Sequence, residues 1–138
     1  MNSTLRAPSV ELHLGFIQDL GNERAAVLQA RFGVYKLGQA LSEFGRDTTL
    51  DFPPCAKQAE LMHVHYLTPE RIKELKTKHK NTQFSRTSDI WLVYVQHMFD
   101  RGRYLLIAYV KEPAHKTCSS NRLLVPQYAD IAENFHNS

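Results

Sequence analysis

Asp89-Ile90-Trp91-Leu92-Val93-Tyr94-Val95-Gln96, then Asp100-Arg101-Gly102, then Tyr104-Leu105-Leu106-Ile107-Ala108-Tyr109-Val110-Lys111: these three runs decide the fold. Two stretches rich in β-branched, aromatic and aliphatic residues flank a turn signal, which predicts a β-hairpin. Tyr104 to Lys111 is apolar on both faces. Both strands are therefore expected inside a sheet, not at its edge.

Upstream, Leu61-Met62-His63-Val64-His65-Tyr66 reads as another strand. Period two places Met62, Val64 and Tyr66 on one face and His63 and His65 on the other. Thr68-Pro69-Glu70-Arg71 opens a helix, with Thr68 as cap and Pro69 at the first helical position, running to about Lys80. Val10 to Leu14 alternates like a short strand. A helix follows Gly21-Asn22, with Asn22 as cap, Ala25, Leu28, Phe32 and Tyr35 on its buried face, and Gly38 as the stop. Leu41 to Lys57, with Pro53-Pro54, reads as an irregular crossing loop. Downstream, Tyr128, Ile131 and Phe135 lie at helical spacing in a last helix over Val125 to Phe135. The order strand, helix, strand, helix, hairpin, helix predicts one α+β domain over residues 1–138 with a mainly antiparallel sheet.

Apolar residues make up 43% of the 138 residues, enough to fill one core. The formal charge of +3 is mildly basic and decides little. Cys55 and Cys118 fit no metal or redox spacing, which points to a reducing cytoplasm. Met1 to Pro8 is short and polar, unlike a signal peptide, and the longest apolar run, Leu105 to Val110, is too short to span a bilayer. A soluble protein without a membrane partner is expected.

There is no P-loop, Rossmann glycine pattern, HExxH or Gly-x-Ser-x-Gly elbow. Carboxylates are scattered, so neither a metal nor a cofactor is expected. What remains is histidine, arginine and lysine. Cutting RNA without metal requires a base for the 2′-hydroxyl, positive charge for the phosphorane and an acid for the leaving 5′-oxygen. Histidine suits both proton roles and arginine suits the phosphate. The candidates are His63 with His65, Arg86 with Asp89, and Lys111-Glu112-Pro113-Ala114-His115-Lys116. Each has a plainer reading. The histidine pair fits a cleft wall, half a zinc site or a solvated sheet face, and Arg86 fits a surface ion pair. Arg71 to Lys80 carries five Lys/Arg against one Glu. It suits docking on ribosomal RNA through phosphates, or simply a solvated helix. Trp91 reads as core.

The runs Phe44-Gly45-Arg46-Asp47, His63-Val64-His65, Gln83 to Asp89, Leu92-Val93-Tyr94, Phe99-Asp100 and Leu105 to Lys116 resemble, in order, the YafO family of ribosome-dependent mRNA interferases. The resemblance covers roughly the last two-thirds of the chain and is most specific around Ser85-Arg86-Thr87 and Lys111 to Lys116. It implies a RelE-like fold, a small twisted sheet with helices packed on one side. It implies mRNA in the ribosomal decoding site as target, attack by the RNA's own 2′-hydroxyl, and a cognate antitoxin as partner. On the matching positions it implies His115 as acid or base, Arg86 on the scissile phosphate, His63 or His65 in the second proton role, and Asp89 orienting a histidine or Arg86. Arg46, Lys111 and Lys116, with Lys73, Lys76 and Lys80 of the basic run, are the expected RNA contacts. Thr68 to Asn81 is longer and more basic than its counterpart, and Cys118 to Ala132 departs from the family pattern. Two rival expectations are a toxin of similar fold that blocks its target without cutting RNA, and a ribosome-binding module with no nuclease activity.

Overall fold

The computed structural model describes residues 7–138, so the polar opening stretch lies, up to Arg6, outside the described residues. In chain order the elements are β1 (Ser9–Leu12), α1 (Leu14–Leu20), α2 (Asn22–Lys36), β2 (Phe44–Thr49), α3 (Pro54–Gln58) and β3 (Met62–Tyr66). They continue with α4 (Pro69–Thr77), β4 (Trp91–Gln96), β5 (Arg103–Val110), α5 (Ala114–Ser120) and α6 (Leu124–His136). The strands form one sheet in the order β1-β5-β4-β3-β2. The β4–β5 hairpin lies inside it, as its two apolar faces require. Every pairing is antiparallel except β1 with β5, which is parallel.

Two bulges set which side chains reach which face. Between β4 and β5 the register shifts between the Val93–Ala108 and Tyr94–Leu106 pairs, so Leu105 and Ile107 on one side of it share a face with Ala108 and Val110 on the other. Between β2 and β3 the register shifts between Phe44 and Asp47, which pair with Tyr66 and Val64. Phe44 and Asp47 thus both turn toward α2, and Arg46 and Thr48 are left facing the other way.

Helices cover both faces of the sheet, where the family resemblance implied one. Phe16, Leu20, Leu28 and Phe32 of α1 and α2 pack on Val64, Leu92, Tyr94 and Leu106. On the opposite face, Ala56 of α3 and Val125, Ala129, Ala132 and Phe135 of α6 pack on Trp91, Val93, Val95 and Ile107. The apolar content of β4 and β5 has this double cover as its cause.

Three local expectations need correction. Leu41 to Lys57 is not irregular: it holds β2 and α3. Gly45, two charged residues and a bulge had erased the period-two signal of β2. The first strand ends at Leu12 because His13 caps α1, its Nδ1 accepting from the Gly15 N–H at 3.2 Å. Asn22 is the first residue of α2, and Gly21, at φ +84°, is its cap. The α4 entry is as expected: the Thr68 side chain accepts from the Arg71 N–H and Pro69 follows it.

Candidate active site

The α3/α6 side of the sheet opens at the end of β3. There His63 and His65 stand on one strand with ring centroids 5.5 Å apart, and Trp91 lies across from them on β4, 4.4 Å from His63 and 5.9 Å from His65. His115, in the first turn of α5, meets Trp91 edge-on at 5.9 Å. Both histidines of the strand are almost fully buried. They do not lie on a solvated sheet face. Two cavities flank the His65–Trp91–His115 ridge. One, of about 440 Å³, is lined by Arg46, Phe52 and His63 as well as the ridge. The other, of about 530 Å³, is lined by Arg71, Glu74, Asp89 and Glu112 beside the same ridge.

The backbone holds the two strand histidines in opposite tautomers. His63 Nδ1 lies 3.1 Å from the Thr48 carbonyl, which can only accept, so Nδ1 carries the proton and Nε2 keeps a lone pair. His65 Nδ1 accepts from the Ser88 N–H at 2.8 Å, so in the neutral ring Nε2 carries the proton. Burial lowers the pKa of both rings. For His63 it is opposed by the Thr48 bond. For His65, burial together with His63 and Arg46 nearby brings the pKa down to about 4. At neutral pH one ring is therefore a proton acceptor and the other an uncharged donor.

Arg46 reaches this wall because of its neighbour. A Cβ on Gly45 would lie 2.1 Å from the Arg86 carbonyl oxygen and 2.6 Å from Leu67 Cδ1, so only glycine lets the 82–86 segment close on β2. The Arg46 N–H then donates to the Arg86 carbonyl at 2.8 Å, and its Nε donates to the Phe84 carbonyl at 2.8 Å. The guanidinium rests on the Phe84 ring, 4.0 Å from its centroid.

Comparisons with known proteins assign the chain to a family. The family model "Toxin YafO, type II toxin-antitoxin system" matches residues 34–137. The mRNA interferase toxin YafO of Escherichia coli (strain K12) is 35% identical over 104 residues, covering 72% of this chain and 76% of that protein. The chain belongs to the YafO toxin family. No solved structure matches it. The YafO match takes in every residue of the two cavities, from Arg46 to Ser119, while β1, α1 and most of α2 precede it.

Within this YafO domain the structure divides the sequence candidates. It brings together His63, His65, His115, Asp89 and Arg46. Asp89 holds the start of α5, its Oδ1 accepting from the His115 N–H at 3.0 Å and its carbonyl from the Ala114 N–H at 2.9 Å. It fixes His115 through the backbone. Arg86 stands apart, lining neither cavity: its Nη2 donates to the Phe44 carbonyl at 2.8 Å, while its buried Nε has no partner among the described residues. Lys111 and Lys116, Lys73 and Lys76 of α4, and Lys80 just beyond it are exposed and likewise line neither cavity. Arg71, read only as part of the basic run, lines the larger cavity. Its Nε donates to the Thr87 carbonyl at 2.7 Å, and its Nη1 pairs with Glu74. Phe52 carries no sequence signal, since a lone aromatic before Pro53-Pro54 forms no pattern. Among the described residues no group of three His, Cys, Asp or Glu side chains is placed to hold a metal ion.

Proposed function

We propose that this toxin is an endoribonuclease that cuts mRNA on the ribosome, using His63, His65, His115 and Arg46. One observation carries the reading: two adjacent buried histidines are locked in opposite tautomers beside an arginine, at the mouth of a cavity of nucleotide size. The name of the Escherichia coli relative, an mRNA interferase, supports it.

The His63 Nε2 lone pair takes the proton of a 2′-hydroxyl. The freed oxygen attacks the adjacent phosphorus, and the bond to the 5′-oxygen of the next nucleotide breaks. His65, as a neutral Nε2–H donor, and the Arg46 guanidinium stabilise the charge on the phosphorane. His115 donates a proton to the departing 5′-oxygen. The products are a 2′,3′-cyclic phosphate and a 5′-hydroxyl, with one proton gained by His63 and one lost by His115. Arg86 acts indirectly, holding β2 through the Phe44 carbonyl, and Asp89 positions His115. The exposed Lys73, Lys76, Lys80, Lys111 and Lys116 supply outer phosphate contacts, on ribosomal RNA or on the message. A cognate antitoxin restrains the toxin until it is removed, as membership of a type II toxin–antitoxin family implies.

The test is to incubate the purified protein with one mRNA, free and in translating ribosome complexes, and to map new ends and their chemistry. Cuts confined to ribosome-bound message, with cyclic phosphate and 5′-hydroxyl termini, are expected. Cuts in free RNA would point to a ribosome-independent nuclease. No cuts, in a protein still toxic to cells, would favour a toxin that blocks its target.

A further inference from the structure

We infer that Phe52 is the stacking platform for the base of the nucleotide that supplies the attacking 2′-hydroxyl, and that it thereby sets the direction in which RNA crosses the site. The inference rests on the endoribonuclease reading above and adds to it a base contact and a strand polarity.

Phe52 is 79% exposed, and it stands on the wall of the smaller cavity. A phenyl ring held in water next to charged groups forgoes burial that a flat partner restores. The rest of that wall, which includes the Asp51 carboxylate beside Phe52, narrows what the partner is. Arg46 presents a planar guanidinium already stacked on Phe84, itself 63% exposed. His63 presents a ring nitrogen lone pair. A flat apolar face, a planar cation and a proton acceptor in one cavity suit a flat heteroaromatic ring carrying a hydroxyl and an anion close by. A ribonucleotide has all three.

Polarity follows from what the two cavities do not share. His65, Trp91 and His115 line both, but His63 lines only the smaller one, with Phe52. The group that deprotonates the 2′-hydroxyl therefore belongs to the Phe52 side. The nucleotide 5′ of the scissile phosphate lies there. The nucleotide that leaves with its 5′-oxygen lies across the ridge, in the cavity of Arg71, Glu74 and Glu112. Beyond the shared ridge, that second cavity has Arg71, Glu74, Asp89 and Glu112 where the first has Phe52, Arg46 and Asp51, so its base is met mainly by hydrogen bonds and not by a phenyl face.

Cleavage of ribosome-bound mRNA should be followed for the wild type, Phe52→Ala and Phe52→Tyr. Three messages are needed: one intact, one abasic immediately 5′ of the cut, and one abasic immediately 3′ of it. On intact message Phe52→Ala is expected to lose about 10- to 100-fold in kcat/KM, with Phe52→Tyr within about 3-fold of wild type. On the message abasic on the 5′ side, the wild type falls to the level of Phe52→Ala and the variant loses nothing more. On the message abasic on the 3′ side, wild type and Phe52→Ala keep the ratio seen on intact RNA. Wild-type rates for Phe52→Ala on intact message would overturn the inference and leave the nuclease reading in place. A coupling to the 3′ base in place of the 5′ base would overturn the polarity. Absence of any cut by the wild type would overturn the nuclease reading and this inference with it. Thermal melting of Phe52→Ala at the wild-type temperature is expected, because so exposed a side chain contributes little to stability.

Discussion

The two faces of the sheet both bury polar groups at the β2–β3 end, and they treat them in opposite ways. On the α2 side Asp47 accepts from the Tyr35 hydroxyl at 2.5 Å, the Tyr94 hydroxyl at 2.6 Å and Lys36 Nζ at 3.0 Å. Lys36 also donates to the Tyr94 hydroxyl at 2.8 Å and lies over the rings of Phe32, Tyr35, Tyr94 and Tyr104. Burial, with Asp47 beside it, raises the pKa of both hydroxyls above the ordinary tyrosine value. Lys36 and Tyr94 border a cavity of about 460 Å³, yet the network is closed in charge, Lys36 and Asp47 answering each other. On the other side His63 and His65 each spend one ring nitrogen on the backbone and turn to a cavity wall. A closed network specifies structure, whereas an open one is left with groups that act on something else. One residue of sequence, from Arg46 to Asp47, separates the two.

The largest effect that would sharpen this contrast is on cleavage. His115→Ala and His63→Ala should each lose about 10²–10⁴-fold in rate on ribosome-bound mRNA. His115→Ala should still bind ribosomes and melt like the wild type, since its ring is exposed. An undiminished rate for His115→Ala would remove it from the mechanism. The mirror-image result is expected of the closed network. Asp47→Ala should cost about 3 kcal/mol of unfolding free energy by leaving Lys36 without its counter-charge in a mostly buried site. Denaturant unfolding of that variant within 1 kcal/mol of wild type would show that the network is not a structural fastening.

A smaller effect is expected from pH. His65 has a pKa of about 4 in the fold against 6.5 ordinarily, because burial disfavours its charged form. The unfolded chain therefore binds more protons between those values, so the stability His65 contributes is full above about 6.5 and falls as pH drops toward 4. His63 is shifted in the same direction. Unfolding curves across that window should show the decline, and His65→Asn should flatten it. A stability independent of pH there would contradict the burial argument. The smallest effect is expected at the surface: replacing Lys73, Lys76 and Lys80 by alanine should weaken ribosome binding and lower its salt slope by about 2 to 3.

The sequence was most legible where pattern and burial coincide. The hairpin could be read because β4 and β5 are covered on both faces, and the His63/His65 alternation held because β3 is a regular strand. The α4 entry could be read because Thr68-Pro69 supplies cap and first turn together. β2 was hidden because its bulge destroys alternation, and with it went the reason Arg46 faces the histidines. The direction of the Arg86 side chain was hidden for a related cause. Its motif position gives the residue type, but its side chain turns to the Phe44 carbonyl, a backbone partner that no residue pattern encodes. The cover on both faces depends on which side of the sheet α2 and α6 take, and helical spacing marks a buried stripe without saying which face it packs on. The tautomers of His63 and His65 depend on the Thr48 carbonyl and the Ser88 N–H, backbone atoms that no residue pattern encodes.

The mechanism depends most directly on those tautomers, and long-range nitrogen–proton NMR of the histidine rings in the intact protein at neutral pH reads them. His63 should appear neutral with its proton on Nδ1, and His65 neutral with its proton on Nε2. A proton on His63 Nε2, or a charged His63 ring at that pH, would remove the base from the site and contradict the account.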